Sequence, residues 1–248
     1  MTAVPWTGEE SLIALVHGES GAGKTPVAHT APKPLLVLDA ENGSRFVHSS
    51  KVRWDPLTQA PPEPGDWETC IVATRDYATL DAAYRWLASG KHPFRSVALD
   101  SLTEIQKRCK DSIAGPDEQF TEAKWGSLLA RMERLMRDFR DLTMHPTNPL
   151  QAVVFVALTG EKQGKYRPLV QGGLSLSLAG FVDVIGFLYV GTDDTGQPAR
   201  MMLVQPTEQH VAKDRTGAIT AAHGAAVPGP IDLAGLIATI YAPEAARV

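Results

Sequence analysis

The stretch "LIALVH" followed by "GESGAGKT" (Leu12 to Thr25) constrains this chain more than any other. A short apolar run without polar alternation reads as a buried strand. The glycine-rich segment after it has the G-x-x-x-x-G-K-[ST] spacing, with Gly18, Gly23, Lys24 and Thr25 in their places. A strand, a tight loop and then a helix whose first N–H groups are free make a seat for an anion. Gly21 and Gly23 can take backbone angles closed to other residues, so the chain can approach phosphate closely. The predicted nucleotide contacts are Gly18, Glu19, Ser20, Gly21, Ala22, Gly23, Lys24, Thr25 and Pro26. In such a loop the lysine reaches the β- and γ-phosphates and the threonine hydroxyl ligates Mg²⁺, so ATP and Mg²⁺ are the expected cofactors. Pro26 suits a first helical turn, which has no use for that N–H. Pro32 and Pro34 should stop the helix early.

The rest of the chain alternates strand and helix signals, as a mostly parallel sheet requires. "LLVLD" (35–39), "FRSVALDSL" (94–102) and "AVVFVAL" (152–158) read as buried strands. "YATLDAAYRWLAS" (77–89) reads as a helix, and "DPLTQAPPEPGDW" (55–67) as a surface loop. From Trp125 to Leu142 the apolar residues Trp125, Leu128, Leu129, Met132, Leu135, Met136, Phe139 and Leu142 fall on one helical face. The arginines between them read as a solvated face. "FVDVIGFLYV" and "RMMLVQP", split by "GTDDTGQ", predict an antiparallel hairpin, and "IDLAGLIATIYAP" a final short helix.

The 248 residues, 44% of them hydrophobic, suffice for one α/β domain. The expected organisation is a single domain over 1–248, with a core at 12–217 and a short helical tail at 218–248. A net charge of −4 excludes a generally basic nucleic-acid binder, so any such contact must be local. Cys70 and Cys109 form no metal spacing and point to a reducing interior. No apolar run reaches the roughly 18 residues of a membrane span, and no signal-peptide pattern opens the chain, so a cytoplasmic protein is expected.

Two strand ends carry acids. Asp100 closes "SVALD", where a carboxylate suits a Mg²⁺ contact through water; the alternative is a helix N-cap, which Asp100 or Ser101 can fill. Glu41 follows "LLVLDA", where it can orient and deprotonate an attacking water; the alternative is an ordinary loop acid.

"GESGAGKT", then "VLDAENG", then "VALDSLTEI" resembles the RecA-type recombinase core, and most closely the compact phage-encoded RecA-like ATPases that include single-strand annealing proteins. The resemblance implies a RecA-like α/β fold, with a mostly parallel sheet flanked by helices and an antiparallel hairpin toward the C-terminus. It also implies Glu41 as catalytic base, Asp100 as the metal-associated acid, and a homo-oligomer, ring or filament, with ATP at subunit interfaces. "VAKDRTG" sits where that family places two basic residues reaching a neighbour's γ-phosphate, which would make Lys213 and Arg215 catalytic in trans; a plain charged turn is the alternative.

The implied function is ATP hydrolysis coupled to single-stranded DNA annealing or strand exchange in phage recombination, with a single-strand-binding protein as a further partner. Other readings are a ring-type RecA-fold motor or regulatory ATPase, a nucleotide kinase, disfavoured by the absence of an Arg-rich lid after Asp100, and a module holding ATP structurally. The segment "AGPDEQFTEAK" (114–124) is too acidic for a DNA loop. "GEKQGKYRPLVQGG" (160–173) is the expected DNA-binding loop, with Lys162, Lys165 and Arg167 on phosphates and Tyr166 stacked on a base. The chain departs from the family at Leu158, where a polar sensor is usual; Thr159 or Glu161 would have to substitute.

Overall fold

The computed structural model describes residues 10–115, 119–193 and 195–242. The chain runs β1 (Leu12–Gly18), α1 (Lys24–Ala28), β2 (Leu35–Asp39), β3 (Lys51–Arg53), β4 (Thr69–Ala73), α2 (Tyr77–Leu87) and β5 (Ser96–Asp100). It continues through α3 (Leu102–Ile113), α4 (Glu122–Asp141), β6 (Ala152–Lys162), β7 (Lys165–Pro168), α5 (Leu174–Phe181), β8 (Val184–Thr192) and β9 (Pro198–Leu203). It ends with β10 (Lys213–Asp214), α6 (Ala218–His223), β11 (Ala226–Pro228) and α7 (Leu233–Tyr241).

The main sheet has the order β11-β9-β8-β1-β6-β5-β2-β4-β3. From β8 to β3 every neighbouring pair is parallel, whereas β9, β10 and β11 join antiparallel. Alternate residues of each central strand feed two cores. Leu15, Leu36, Leu99, Val153 and Phe155 pack with α2, α3, α4 and α5 on one face. Ala14, Val16, Val37, Ala98 and Val154 pack with α1, α6 and α7 on the other. Burial on both faces explains why these strands read as continuous apolar runs. The expected α/β arrangement, a mostly parallel sheet flanked by helices with an antiparallel hairpin toward the C-terminus, is present.

Most predicted elements fall where the periodicity places them. The five-residue α1 is as short as its prolines require. Asp55–Trp67 is loop, and the tail contributes α6, β11 and α7 to the fold. Residues 243–248 of that tail, 116–118 of the acidic segment and Asp194 of the β8–β9 turn lie outside the described residues.

Two expectations need correction. The expected DNA loop at 160–173 begins as a hairpin: β6 runs on past the sheet to Lys162, turns, and pairs antiparallel with β7. The cause is Gln163-Gly164, both at positive φ (56° and 73°), which is the two-residue turn that matches strand twist. Trp125, read as part of the buried face of α4, is 37% exposed, while Leu128, Met132, Leu135, Met136 and Phe139 are buried as expected. At the first turn of α4 the Trp125 ring meets Phe120 edge-on and lies under the Lys110 ammonium of α3 rather than in the core.

Gly164→Val should strain that turn, because a β-branched residue at φ near +73° is an outlier. Amide exchange in residues 159–168 should speed up at least about tenfold while the global melting temperature moves little. Unchanged exchange there would show that the turn does not depend on glycine.

Candidate active site

The parallel register brings the carboxyl ends of the central strands to one edge: Gly18 is level with Leu158, and Asp39 with Asp100. Such an edge is where open α/β sheets bind ligands. Gly18 must be glycine, since a Cβ there would lie 2.7 Å from the Leu188 carbonyl oxygen on the neighbouring β8. Gly23, at φ +99°, occupies a left-handed turn that side chains resist and starts α1. Lys24 folds back over the loop, its Nζ donating to the carbonyls of Gly18 (3.0 Å) and Glu19 (2.7 Å). Burial pulls the Lys24 ammonium below the ordinary lysine range, opposed by the charges of Asp100 and Glu41.

Opposite the loop, the Thr25 hydroxyl donates to Asp100 Oδ2 at 2.6 Å. Ser101, not Asp100, caps α3 by accepting from the Glu104 amide at 3.3 Å, which leaves the Asp100 carboxylate turned to Thr25. The Ser101 hydroxyl also donates to Glu41 Oε1 in a short hydrogen bond. Glu41, Asp100, Thr25 and Lys24 therefore form one constellation, as their positions in the sequence anticipate.

Asp39 was not singled out from sequence, yet it builds the loop that carries Glu41. Its buried carboxylate accepts from the amides of Glu41 (3.1 Å), Gly43 (3.2 Å) and Ser44 (3.0 Å). The signal was present in "LDAENG", an Asp at a strand end before an Asn-Gly turn. Gly43 then passes so close that a Cβ would stand 3.3 Å from Thr25 Oγ1.

Burial, the largest cause, raises the Asp100 carboxyl to about 6, and the carboxylates of Asp39 and Glu41 push the same way. The Thr25 hydrogen bond and Lys24 act against them. A buried carboxyl whose ionisation is opposed favours a cation between it and the loop, and Thr25 with Asp100 fits Mg²⁺, which takes few protein ligands and keeps its waters. No group of three or more His, Cys, Asp or Glu side chains that could hold a metal ion is present among the described residues.

The remaining expected site residues lie elsewhere. Lys213 Nζ donates to the carbonyls of Ala179 and Val182, both at 2.7 Å, at the C-terminal end of α5. Arg215 pairs with Asp183 at 3.0 Å. Asp214 accepts from Thr216, Gly217 and Thr220, holding the start of α6. Lys213 is level with Ile185, three strand positions before Leu188, the partner of Gly18, or roughly 10 Å below the chain's own phosphate loop.

On the β6–β7 hairpin, Lys162 faces Lys165 and Gly160 faces Arg167, while the intervening pair is Glu161 and Tyr166. Cross-strand partners share a face and neighbours alternate, so the three cations lie on one face and Tyr166 on the other. Tyr166 stacks on His210, with centroids 5.1 Å apart. The hairpin thus corrects the expected grouping: Tyr166 does not accompany the cations. A cleft of about 450 Å³ borders the cationic face, lined by Lys162, Arg167, Leu169, Gln171 and Trp125. Arg167 Nε is buried without a hydrogen-bond partner among the described residues.

Neither expected sensor points freely to the phosphate loop. Glu161 accepts from the Gly164 amide within the hairpin turn. Thr159 bonds His17 Nδ1 at 2.9 Å. Burial lowers His17 to about 4, so the ring is neutral. Its Nε2–H donates to the Val211 carbonyl at 2.8 Å, which leaves Nδ1 to accept from Thr159.

The raised Asp100 pKa makes a stability prediction with a definite sign. Between pH about 4 and about 6 the folded protein keeps a proton that the unfolded chain has released, so ionisation costs stability as pH rises through that window. Asp100→Asn, without nucleotide or metal, should match the parent below pH about 4. It should exceed it above pH about 6, by on the order of 2–3 kcal/mol, the free energy of moving a pKa from about 4 to about 6. Denaturant melts across pH check this, and a variant no more stable than the parent at pH 8 contradicts it.

Known proteins share parts of this chain. A solved structure described as an ATPase domain superposes with a TM-score of 0.45 at 13% identity, covering 84% of this chain and 78% of that one. No curated protein matches the sequence. No helix among the described residues is long and apolar enough to cross a membrane. A family model described as "AAA domain" matches residues 10–216, most of the chain, including the phosphate loop, Glu41 and Asp100. The chain belongs to that AAA domain family and is a P-loop ATPase domain.

Proposed function

We propose that this ATPase uses Mg²⁺-bound ATP to control binding of single-stranded DNA, and that it promotes annealing or strand exchange in phage recombination. Lys24 holds the β- and γ-phosphates, Thr25 and Asp100 hold the metal, and Glu41 takes the proton from the attacking water. The Glu41–Ser101 hydrogen bond supports this assignment, because it fixes the carboxylate beside the strand end that bears Asp100.

The observation that carries the DNA reading is the cationic face of the β6–β7 hairpin, turned to a cleft whose far wall is Trp125. Lys162, Lys165 and Arg167 supply phosphate contacts, and the exposed indole supplies the stacking surface that the sequence places at Tyr166. A local cationic strip also resolves the apparent conflict with a net charge of −4.

Single-stranded DNA affinity should fall as salt rises, since each phosphate contact releases counterions, with a slope of about 0.7 per contact. Replacing Lys162, Lys165 and Arg167 by Ala should weaken binding and flatten that slope. Trp125→Ala should cost about 1–3 kcal/mol, and Tyr166→Ala much less. Fluorescence anisotropy with labelled oligonucleotides reads all of these. Binding that survives the triple change moves the site elsewhere, and a parent protein that ignores single strands favours the ring-type motor.

We propose further that the active site is shared between subunits, with Lys213 and Arg215 reaching a neighbour's nucleotide. Their distance from their own phosphate loop supports a role in trans, although within the protomer they also secure the end of α5. Arginine or lysine supplied in trans can be worth roughly 10³–10⁵ in rate. A Glu41→Gln protein mixed with an Arg215→Ala protein should regain hydrolysis that neither shows alone. Inactivity at every ratio, with assembly confirmed by sedimentation, removes the shared site.

A further inference from the structure

We propose that Arg200, on the β8–β9 hairpin, binds the polyphosphate of the nucleotide held by the same chain's phosphate loop, a role that rests on that loop being the ATP site. The strand register places it there. In β8, Leu188 is level with Gly18 of β1 and with Met202 of β9. Leu188 and Met202 both enter the core shared with Val27 and Ala28 of α1. One side-chain pair farther along the same face comes Val190 opposite Arg200. The hairpin therefore overshoots the end of β1 by one pair, on the side where the phosphate loop turns into α1.

Arg200 fills that overhang by lying across Gly23. A Cβ at Gly23 would stand 3.0 Å from Arg200 Nε, 3.1 Å from Cδ and 3.5 Å from Cζ. The backbone of Arg200 is fixed from both sides: it pairs with Val190, and its carbonyl accepts from the Gly229 amide at 2.8 Å. Its guanidinium has no carboxylate or hydrogen-bond partner among the described residues, whereas Arg85, Arg108, Arg134, Arg140 and Arg215 all pair with acids. An arginine cannot discharge, and its fork of donors matches phosphate oxygens. Exposed, and held against a glycine of the phosphate-binding loop, that fork lies where the phosphates of a bound nucleotide would come. The exposed Val190 beside it offers an apolar surface for the base, as a nucleotide requires and inorganic phosphate does not.

Calorimetric titration of the full chain with ATP and with inorganic tripolyphosphate tests this. Arg200→Ala should weaken both ligands by about ten- to a hundredfold, with the nucleotide-free melting temperature unchanged because the side chain has no partner to lose. Arg200→Lys should recover part of the loss, and in steady state KM should rise more than kcat falls. Val190→Ser should weaken ATP and leave tripolyphosphate unaffected. Arg200→Ala that binds both ligands like the parent overturns the proposal, as does one that loses ATP but keeps tripolyphosphate, which would make Arg200 a base contact. Lys24→Ala serves as the control: if it keeps full ATP affinity, the phosphate-loop reading itself fails, whereas its loss beside an intact Arg200→Ala condemns only the role of Arg200.

Discussion

The Asp100 carboxylate, buried at the end of β5 and bonded to Thr25, ties the two halves of the site together. Thr25 belongs to the phosphate loop at the end of β1, and β6 separates that strand from β5. The two groups meet because parallel register levels the strand ends across three strands. Burial raises the carboxyl to about 6, so in the nucleotide-free protein ionisation is opposed by its surroundings. Stability is given up at a position where charge is useful, a common trade at functional sites.

The same economy of position governs Glu41. It is exposed, and the base role proposed for it needs something to hold the carboxylate in place. Here Asp39 holds the loop from below through three backbone amides, and Ser101 holds the carboxylate from the side. Ser101 does so while capping α3, so the orientation of Glu41 and the start of that helix are set by one hydroxyl.

Much of this was legible in the sequence because it depends on local patterns. The phosphate loop, the buried strands and the ends bearing Glu41 and Asp100 follow from motif spacing and apolar runs. What escaped depends on contacts between distant segments. Nothing local tells that β6 outruns its sheet, because "TGEKQGKYRP" reads as polar loop until β7 pairs with it. Trp125 fits the periodicity of α4, but it stands at the helix's first turn against Phe120 and Lys110 and stays partly exposed. Arg200 lies in an ordinary strand, and its place over Gly23 appears only once β8 and β1 are in register. His17 closes the apolar run before the phosphate loop, and its partners, Thr159 and Val211, lie far along the chain.

Those long-range contacts give the cationic hairpin an unusual footing. On one side, the Thr103 hydroxyl in the first turn of α3 accepts from the Leu158 amide (3.0 Å) and donates to the Leu169 carbonyl (2.9 Å), so it grips both strands at their base. One turn later Gln106 exchanges two hydrogen bonds with the backbone of Gln171, in the wall of the cleft. On the other side, His17, the residue before Gly18, holds Thr159. The hairpin is thus rooted in the helix that begins beside Asp100 and in the strand that ends in the phosphate loop. A shift of either strand end has to strain these buried hydrogen bonds or carry the hairpin with it, since packed interiors move between discrete arrangements rather than deforming smoothly. Coupling between two sites is commonly worth about 1–3 kcal/mol, the scale of one or two such bonds. In this chain a linkage between the nucleotide site and the DNA site proposed on the hairpin would have main-chain anchors at the hairpin's base to run through, without the polar side chain that the position of Leu158 lacks.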